Sequence, residues 1–260
     1  VDGSGWKKGG LMKKGSIILV SALALSLGAF TQVSDEQMLQ NADEARFLQF
    51  DSFVLKMNVT AERPDDKGGV TKSEALLRLL NKKFSEGYRV RVEFLEPSSM
   101  KDTVYLVVGD DIFFWQPGLM RPIKISGQQK LFGDAGIAEA AGIAFTKYTI
   151  KSKEETKLDN KESLKLNLVA KSPSTAYQVV TLWLDKKELK PIKTVLHAIT
   201  EEPLRKVVYQ KYEKFQGDEY IAEQLVEDLL IKDHRTSFKI TNIEVKEIPD
   251  DLFDPEKLGK

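Results

Sequence analysis

The sequence predicts a mainly β protein, an all-β barrel or sandwich. Beyond residue 50, apolar and polar residues alternate with period two in short runs, as they do in strands that bury one face. Turn-forming residues separate these runs at 109–111, 159–160, 185–187 and 217–218. The sequence does not alternate strands with long helices, which is the pattern that would suggest βαβ units. Short connections of this kind favour antiparallel neighbours in an up-and-down order.

The first 33 residues are interpreted as leader and signal peptide. From Met12 the chain reads MKKGSIILVSALALSLGAFTQ, two lysines before an apolar run and then small residues, the pattern of a secretory signal. We expect export with cleavage near Gly28 or Ala29. Because short apolar runs are ambiguous, an uncleaved inner-membrane anchor is the alternative. Residues 1–11 fit no signal peptide and are interpreted as an upstream region translated in error.

Composition excludes several classes of function. Lys+Arg and Asp+Glu are both 39, so the formal net charge is zero and gives no overall attraction to nucleic acid. Cysteine is absent, which excludes disulfides, thiolate metal sites, a cysteine nucleophile and a lipid-modified cysteine. Apolar residues at 42% and charged residues at 30% are ordinary for a soluble globular protein. We expect one domain over residues 34–260 that binds no nucleic acid.

The first element of that domain is an amphipathic helix over 34–50. It begins with a Ser/Asp cap and an acidic first turn, and Met38, Leu39 and Ala42 follow at helical spacing. About eleven strands come after it. They are predicted at 53–60, 88–95, 103–108, 112–116, 121–125, 164–171, 176–184, 192–200, 205–215, 220–231 and 236–246.

The segment 73–84 is ambiguous. Thr71 to Glu74 resembles a helix capping box, and the leucines at 76, 77, 79 and 80 suit a helix. Leu77 and Leu79 equally suit one face of a strand. The residues alone leave both readings open.

The stretch LFGDAGIAEAAGIAF, residues 131–145, differs from everything around it. Its glycine spacing does not match a phosphate-binding loop, and it is too short and too acidic to span a membrane. It is predicted to form a marginal helix with Asp134 as its cap, since Gly136 and Gly142 each cost about 1 kcal/mol relative to alanine. We call residues 131–145 the lid segment. Core packing and a movable cover are the two readings that remain.

No catalytic or metal-binding motif is recognisable. There are two histidines, His197 within an alternating strand and His234 at a turn, and neither belongs to a paired ligand spacing. No G-x-S-x-G sequence marks a serine nucleophile. Acid pairs of the glycosidase type are spatial, so the sequence does not test them. We expect no enzymatic activity, no cofactor and no metal.

The run RVRVEFLEPSSMKDTVYLVVGDDIFFWQPGLMRPIKISGQQKLFGD, residues 89–134, resembles the bacterial outer-membrane lipoprotein-sorting proteins, the LolA-like superfamily. The resemblance lies in the order of a strand ending in Pro, a strand ending in Gly-Asp, an aromatic strand, a basic strand and a Phe-x-Gly-x-Asp-type segment. VVTLWLDKKELKPIKTV and HRTSFKITNIEVKEIPDDLFDPEKL extend it to about residues 50–258. After Asp134, AGIAEAAG replaces the aromatic and acidic residues usual in that family.

The resemblance implies a curved, incompletely closed antiparallel β-barrel with helices at its mouth, and a strand at 73–84. It also implies a periplasmic carrier of the Gram-negative envelope that binds acyl chains of lipoproteins or lipids and moves them toward the outer membrane. The implied partners are an inner-membrane exporter and an outer-membrane acceptor, with only transient membrane contact after signal cleavage. A sensor or scaffold on the same fold that binds an envelope protein is the runner-up, and a lipid or glycan hydrolase is a third class.

Inward-facing strand positions are the candidates for lining an apolar cavity, although each is equally suited to plain core packing. The candidates are Val92, Phe94, Leu106, Phe113, Trp115, Tyr177, Val179, Val207, Tyr209, Phe238 and Ile240. The lid candidates are Leu131, Phe132, Ile137, Ala141, Ile143 and Phe145.

Overall fold

A strongly paired antiparallel sheet dominates the computed structural model, which describes residues 33–259. Residues 1–32 of the predicted leader and signal peptide lie outside this range. The strands are β1 (Ser52–Pro64), β2 (Val70–Phe84), β3 (Gly87–Glu96), β4 (Val104–Val108), β5 (Asp111–Trp115), β6 (Ile123–Ile125), β7 (Lys130–Phe132), β8 (Ala135–Gly136), β9 (Tyr148–Leu158), β10 (Lys161–Ala170), β11 (Val179–Asp185), β12 (Pro191–His197), β13 (Pro203–Phe215), β14 (Asp218–Asp228) and β15 (Arg235–Val245). The helices are α1 (Asp35–Glu44) and α2 (Ile137–Ala141), with short 3₁₀ turns at Ser98–Met100, Phe145–Lys147, Asp250–Phe253 and Pro255–Lys257.

Thirteen strands of the described chain form one sheet in the order β6-β5-β4-β3-β2-β1-β15-β14-β13-β12-β11-β10-β9. Each neighbour is antiparallel, and β6 and β9 remain as unpaired edges, so the barrel is not closed. β7 and β8 form a separate two-stranded pair. This confirms the predicted curved and incompletely closed antiparallel barrel, with thirteen strands in place of about eleven.

The ambiguous segment 73–84 is a strand, as the family resemblance implies. β2 pairs with β1 from Val70, opposite Pro64, to Lys82, opposite Ser52. Its inward residues Leu77 and Leu79 are buried. Pairing and burial therefore outweigh the local helix signal, as tertiary context does for marginal propensities.

Strand β9 was not predicted. Its sequence YTIKSKEETKL is charged on both faces, because it lies at the edge of the sheet and buries little besides Tyr148. A hairpin joins it to β10, with Asp159 at φ 49° and Asn160 at φ 65°, as a type I′ turn requires. Lysines on an exposed edge discourage pairing with other chains.

Several predicted boundaries change. The helix predicted to residue 50 ends at Glu44, and the strand predicted from residue 176 begins at Val179. The strand predicted to residue 231 ends at Asp228, because its carboxylate accepts the N–H groups of Leu230 and Ile231 and turns the chain. Such side-chain turns are local competitors of strand pairing.

The sheet buries an apolar cluster on each face. The larger cluster lies on the inner face, which α1 and the lid segment cover; Met38, Leu79 and Ile137 belong to it. The smaller cluster lies on the outer face, where the C-terminal residues Ile248 and Phe253 pack over the sheet. Alternation along each strand sends neighbouring side chains to opposite clusters.

Candidate functional site

The lid segment is not a single helix. It forms the β7–β8 pair, then the one-and-a-half turns of α2, and then an extended stretch from Gly142. Asp134 does not cap α2, which corrects the prediction; the residue at the cap position is Gly136, with no side-chain hydrogen bond. Gly142 ends the helix at φ 87°, and a Cβ there would lie 2.5 Å from the ring of Phe47. A helix this short has little stability of its own, so the lid segment is held by its contacts.

The first contact is the anchor at Asp134. Its carboxylate is almost completely buried and accepts hydrogen bonds from Lys130, from Arg63 Nε at 3.0 Å and from His234 Nδ1 at 2.9 Å. Burial raises the pKa of Asp134, but the hydrogen bonds from Lys130 and His234 outweigh it and hold that pKa below its ordinary value. Asp134 thus ties the start of the lid segment to β1 and to the β14–β15 turn.

The second contact joins the end of the lid segment to α1. Asp43 accepts the backbone N–H groups of Phe145 and Thr146, each at 2.9 Å, and also the Thr146 hydroxyl. Arg46 pairs with Asp43 at 2.6 Å and donates to the carbonyl oxygen of Ile143 at 2.5 Å. We call Asp43 and Arg46 the α1 latch.

Arg46 is buried among aromatic rings. Its guanidinium lies 4.0 Å from the ring centroid of Phe145 and 4.6 Å from that of Phe47. Burial lowers its pKa, but Tyr209 and Asp43 raise it by more, so that the net pKa stands above the ordinary value. Arg46 therefore stays charged, and its contacts couple α1, the lid segment and β13.

The third contact lies under α2. The side chain of Glu139 is fully buried and its Oε1 accepts from Arg205 Nη1 at 2.8 Å and from the Tyr177 hydroxyl at 2.7 Å. Arg205 Nη1 and the Tyr177 hydroxyl are themselves 2.8 Å apart. Burial lowers the pKa of Arg205 while Glu139 and Tyr177 raise it by more, leaving it above its ordinary value. Burial, followed by the neighbouring carboxylate, raises the pKa of Tyr177.

Between the inner face and the helices lies a small cavity of about 80 Å³, which we call the inner cavity. Its walls come from β1, β2, β14 and β15, from the residues after α1 and from α2. The lining residues are Arg46, Phe47, Leu48, Phe53, Leu55, Met57, Leu79, Asn81, Glu139, Ala140, Ala141, Gly142, Tyr220, Ile221, Ala222, Gln224, Phe238 and Ile240. Its volume is below the range of about 300–1,000 Å³ that is usual for small-molecule sites.

A wider groove of about 430 Å³, the outer groove, opens beside it between α1, the end of the lid segment and the β2–β4 edge. Phe47, Leu48, Phe53, Asn81, Ala141 and Gly142 line both spaces. The inner cavity and the outer groove are thus adjoining, and Phe47 packed on Gly142 stands at their boundary. Movement of the lid segment or of Phe47 would join the two spaces.

Only part of the predicted cavity set lines this cavity. Phe238 and Ile240 do so. The other inner-face candidates are buried within the core cluster and do not border the cavity: Val92, Phe94, Tyr177, Val207 and Tyr209.

Four predicted cavity residues lie on the wrong face. Leu106, Phe113 and Trp115 belong to the outer-face cluster under the C-terminal segment. Val179 alternates with Val180, which is in the inner cluster, and so it also faces away. In Ile112 to Trp115 every residue is apolar, so the sequence does not indicate which side chains point inward.

Of the predicted lid residues, Ala141 lines both the inner cavity and the outer groove. Leu131, Ile137 and Phe145 are buried core residues, and Phe132 and Ile143 are partly buried against them. Some residues of the lid segment therefore pack in the core, while another, Ala141, borders the two spaces.

Sequence reasoning missed most of the cavity lining. Phe53, Leu55 and Met57 alternate along β1, so period two was a sufficient signal for them. Glu139, Arg205 and Gln224 gave no signal, because polar residues on strands and short helices are read as exposed. Only the tertiary structure shows that Glu139 and Arg205 are buried together and that Gln224 lies beside Glu139.

Within residues 33–259, no helix combines the length and apolar character needed to cross a membrane. In the same part of the chain, no group of three or more His, Asp and Glu side chains is placed to hold a metal ion. His197 contacts Thr181 at 3.0 Å and the carbonyl oxygen of Glu201 at 3.0 Å, and both are ordinary structural contacts.

An open antiparallel barrel whose inner face is closed by helices defines the LolA-like fold, and solved structures agree. A LolA superfamily protein from Nitrosomonas europaea superimposes with a TM-score of 0.75 at 24% identity, over 86% of this chain and 98% of that one. An outer membrane lipoprotein-sorting protein domain described as putative, from Vibrio parahaemolyticus, gives 0.69 at 14% identity over 84% and 95%. A DUF1329 family protein from Desulfovibrio piger gives 0.67 at 16% identity over 85% and 95%. At these identities the similarity establishes the fold.

Residues 88–260 match the model of a protein family described as "Uncharacterized protein". The match covers more than half of the chain, and the chain belongs to that family. No curated protein has a significantly similar sequence.

Proposed function

We propose that this protein is a carrier, and not an enzyme, that binds the acyl chains of lipoproteins or lipids and moves them through the periplasm toward the outer membrane. The observation that carries the proposal is the inner cavity, an apolar space closed by a segment with little stability of its own. The LolA-like fold supports it, because one structure of this fold is described as a putative outer membrane lipoprotein-sorting protein domain.

The energetics suit a carrier. Each CH₂ of an acyl chain that leaves water is stabilised by about 0.8 kcal/mol. The inner cavity of about 80 Å³ is too small for a chain, while the adjoining outer groove of about 430 Å³ has the size of a ligand site. Entry of a chain into the inner cavity therefore requires the lid segment to move, and the gain from the buried chain offsets the contacts that are lost.

The decisive experiment measures acyl binding directly. The exported protein is purified, its lipids are extracted and identified, and binding of a fluorescent fatty acid is titrated. We expect co-purified acyl lipid or saturable probe binding. Protein that carries no lipid and binds no acyl probe would overturn the carrier proposal.

A pair of variants localises the binding. Ala141→Leu fills the boundary of the inner cavity and the outer groove, so probe affinity should fall. Ala138→Leu, at another half-buried alanine of α2 that lines neither space, is the matched control. Equal losses in both variants would place the binding elsewhere, and circular dichroism checks that both remain folded.

A scaffold role is the second candidate, because one turn exposes apolar side chains. Leu229, Leu230 and Ile231 are 41%, 59% and 45% exposed, and the first two line an open groove together with Val70. Isolated exposed residues are common, but contiguous ones mark interaction surfaces. A stable complex with an envelope protein that is lost in Leu230→Ser, without any bound lipid, would favour the scaffold.

A further inference from the structure

The ion pair beneath α2 is unusual for its surroundings. Glu139 is the only charged residue of α2, whose sequence is IAEAA, and its carboxylate is completely buried. Burying two charges costs free energy that their attraction recovers only with good geometry, so such a pair is weak evidence of added stability. A reason beyond stability is therefore worth seeking.

The pair is incompletely satisfied. Oε1 of Glu139 accepts hydrogen bonds from Arg205 Nη1 and from the Tyr177 hydroxyl, whereas Oε2 is buried without any hydrogen-bond partner. A carboxylate can accept about four hydrogen bonds. The other contact of the Arg205 guanidinium is to the carbonyl oxygen of Gln128 at 3.5 Å, which is long. The guanidinium consequently has donor capacity to spare.

The donors and the acceptor belong to different parts of the molecule. Arg205 lies on β13 of the large sheet, and Tyr177 is fixed through its carbonyl oxygen by the Tyr148 hydroxyl at 3.0 Å. Glu139 lies on the lid segment and lines the inner cavity, where the Gln224 amide donates to its carbonyl oxygen at 2.9 Å. Arg205 and Tyr177 do not line the cavity while Glu139 is in place. When α2 moves, Glu139 leaves, and the two donors are exposed to the space that its carboxylate vacates.

We infer that Arg205 and Tyr177 form an anion-binding site that Glu139 occupies in the closed protein and that the anionic headgroup of an acyl ligand occupies in the loaded one. The inference rests on the proposed carrier function and specifies its ligand: an acyl chain that ends in a carboxylate or a phosphate. A planar guanidinium with an adjacent hydroxyl recognises either group. Exchange of one anion for another leaves no buried charge unpaired in either state.

The test compares ligands that share a chain and differ in their headgroup. Displacement of a fluorescent acyl probe is measured with oleate, oleoyl lysophosphatidate and neutral oleyl alcohol. We expect the anionic ligands to bind about tenfold or more tightly than the alcohol, as hydrogen bonds to a charged group imply. The oleate and lysophosphatidate arms distinguish a carboxylate source from a phosphate source.

Variants assign the preference to this site. Glu139→Gln removes the competing charge, so the preference for anionic ligands should rise. The single variant Arg205→Gln leaves Glu139 buried without its cation, and we expect that protein to unfold. The double variant Glu139→Gln with Arg205→Gln is therefore used in its place. The double variant should bind the alcohol as before and lose the preference. The matched control is Glu227→Gln. Glu227 on β14 forms a surface ion pair with Lys206, which follows Arg205 on β13.

The outcomes separate the two proposals. Binding of the alcohol without any preference for the anions, or a preference that survives in the double variant, overturns the anion site and leaves the carrier intact. Failure of all three ligands to bind overturns the carrier, and the anion site with it.

Discussion

The α1 latch permits a quantitative prediction, since Asp43→Asn removes one charge at the end of the lid segment. Asp43 accepts three hydrogen bonds from Phe145 and Thr146 and pairs with Arg46. Its side chain is 13% exposed, so solvent screens these contacts only in part. A hydrogen bond to a charged group contributes about 1.5–3 kcal/mol, and an asparagine oxygen retains part of it. We expect the closed lid segment to lose about 2–3 kcal/mol, equivalent to an opening equilibrium ~30–150-fold larger.

Amide hydrogen exchange measures this directly. The amides of residues 143–147 should exchange faster in Asp43→Asn by about that factor, while the amides of β13 and β15 change little, because the opening is local. Asp35→Asn is the matched control, since Asp35 lies on the same helix and pairs with Lys153 at 3.0 Å on the exposed side. Unchanged exchange at 143–147, or equal acceleration across the whole sheet, would refute the latch.

Three further predictions follow from single contacts. The pKa of Asp134 is lower in the folded protein than in the unfolded chain. Its contribution to folding stability is therefore fully present above the unfolded pKa of about 4 and is lost as pH falls through the folded value. In urea titrations, wild type should lose more stability between pH 5 and pH 2 than Asp134→Asn does, and parallel curves would contradict this. Gly142→Ala places a Cβ 2.5 Å from the Phe47 ring at φ 87°, so we expect a loss of at least about 1 kcal/mol of folding stability. Thermal unfolding measures this loss, which Phe47→Ala should reverse in part. An unchanged melting temperature would contradict the prediction. Trp115→Ala removes one partly buried ring from the outer-face cluster. It should cost up to about 3 kcal/mol of stability without changing acyl-probe affinity, and a loss of affinity in folded protein would place Trp115 in the candidate binding site.

The alternating strands were predictable because period two is a direct consequence of burying one face. The β1–β2 hairpin shows the limit of that signal. Leu77 and Leu79 fit both a strand and a helix, and the choice depends on pairing with a strand some twenty residues away, which no local pattern contains. β9 was missed for the opposite reason, since both of its faces are polar and only its pairing with β10 makes it a strand.

The candidate binding site was less predictable than the fold. Trp115 and Phe113 were expected in the cavity because they are large and apolar, yet the C-terminal residues cover them on the outer face. The residues that the cavity does use include Glu139 and Gln224, whose polarity suggested exposure. Which face a side chain takes depends on what packs over it, and the covering segments come from distant parts of the sequence.

The three polar contacts of the lid segment are not equivalent. Asp134 is held by three cationic or imidazole donors close to the start of the segment, and an acyl ligand in the inner cavity does not reach it. The α1 latch holds the other end through backbone N–H groups that solvent can replace on opening. Glu139 and the latch residue Arg46 both line the inner cavity, and of these two Glu139 is the anion. In the proposed carrier, a ligand would therefore release the middle of the segment by supplying its own anion while the Asp134 anchor stays closed, and the lid segment would swing from one fixed end.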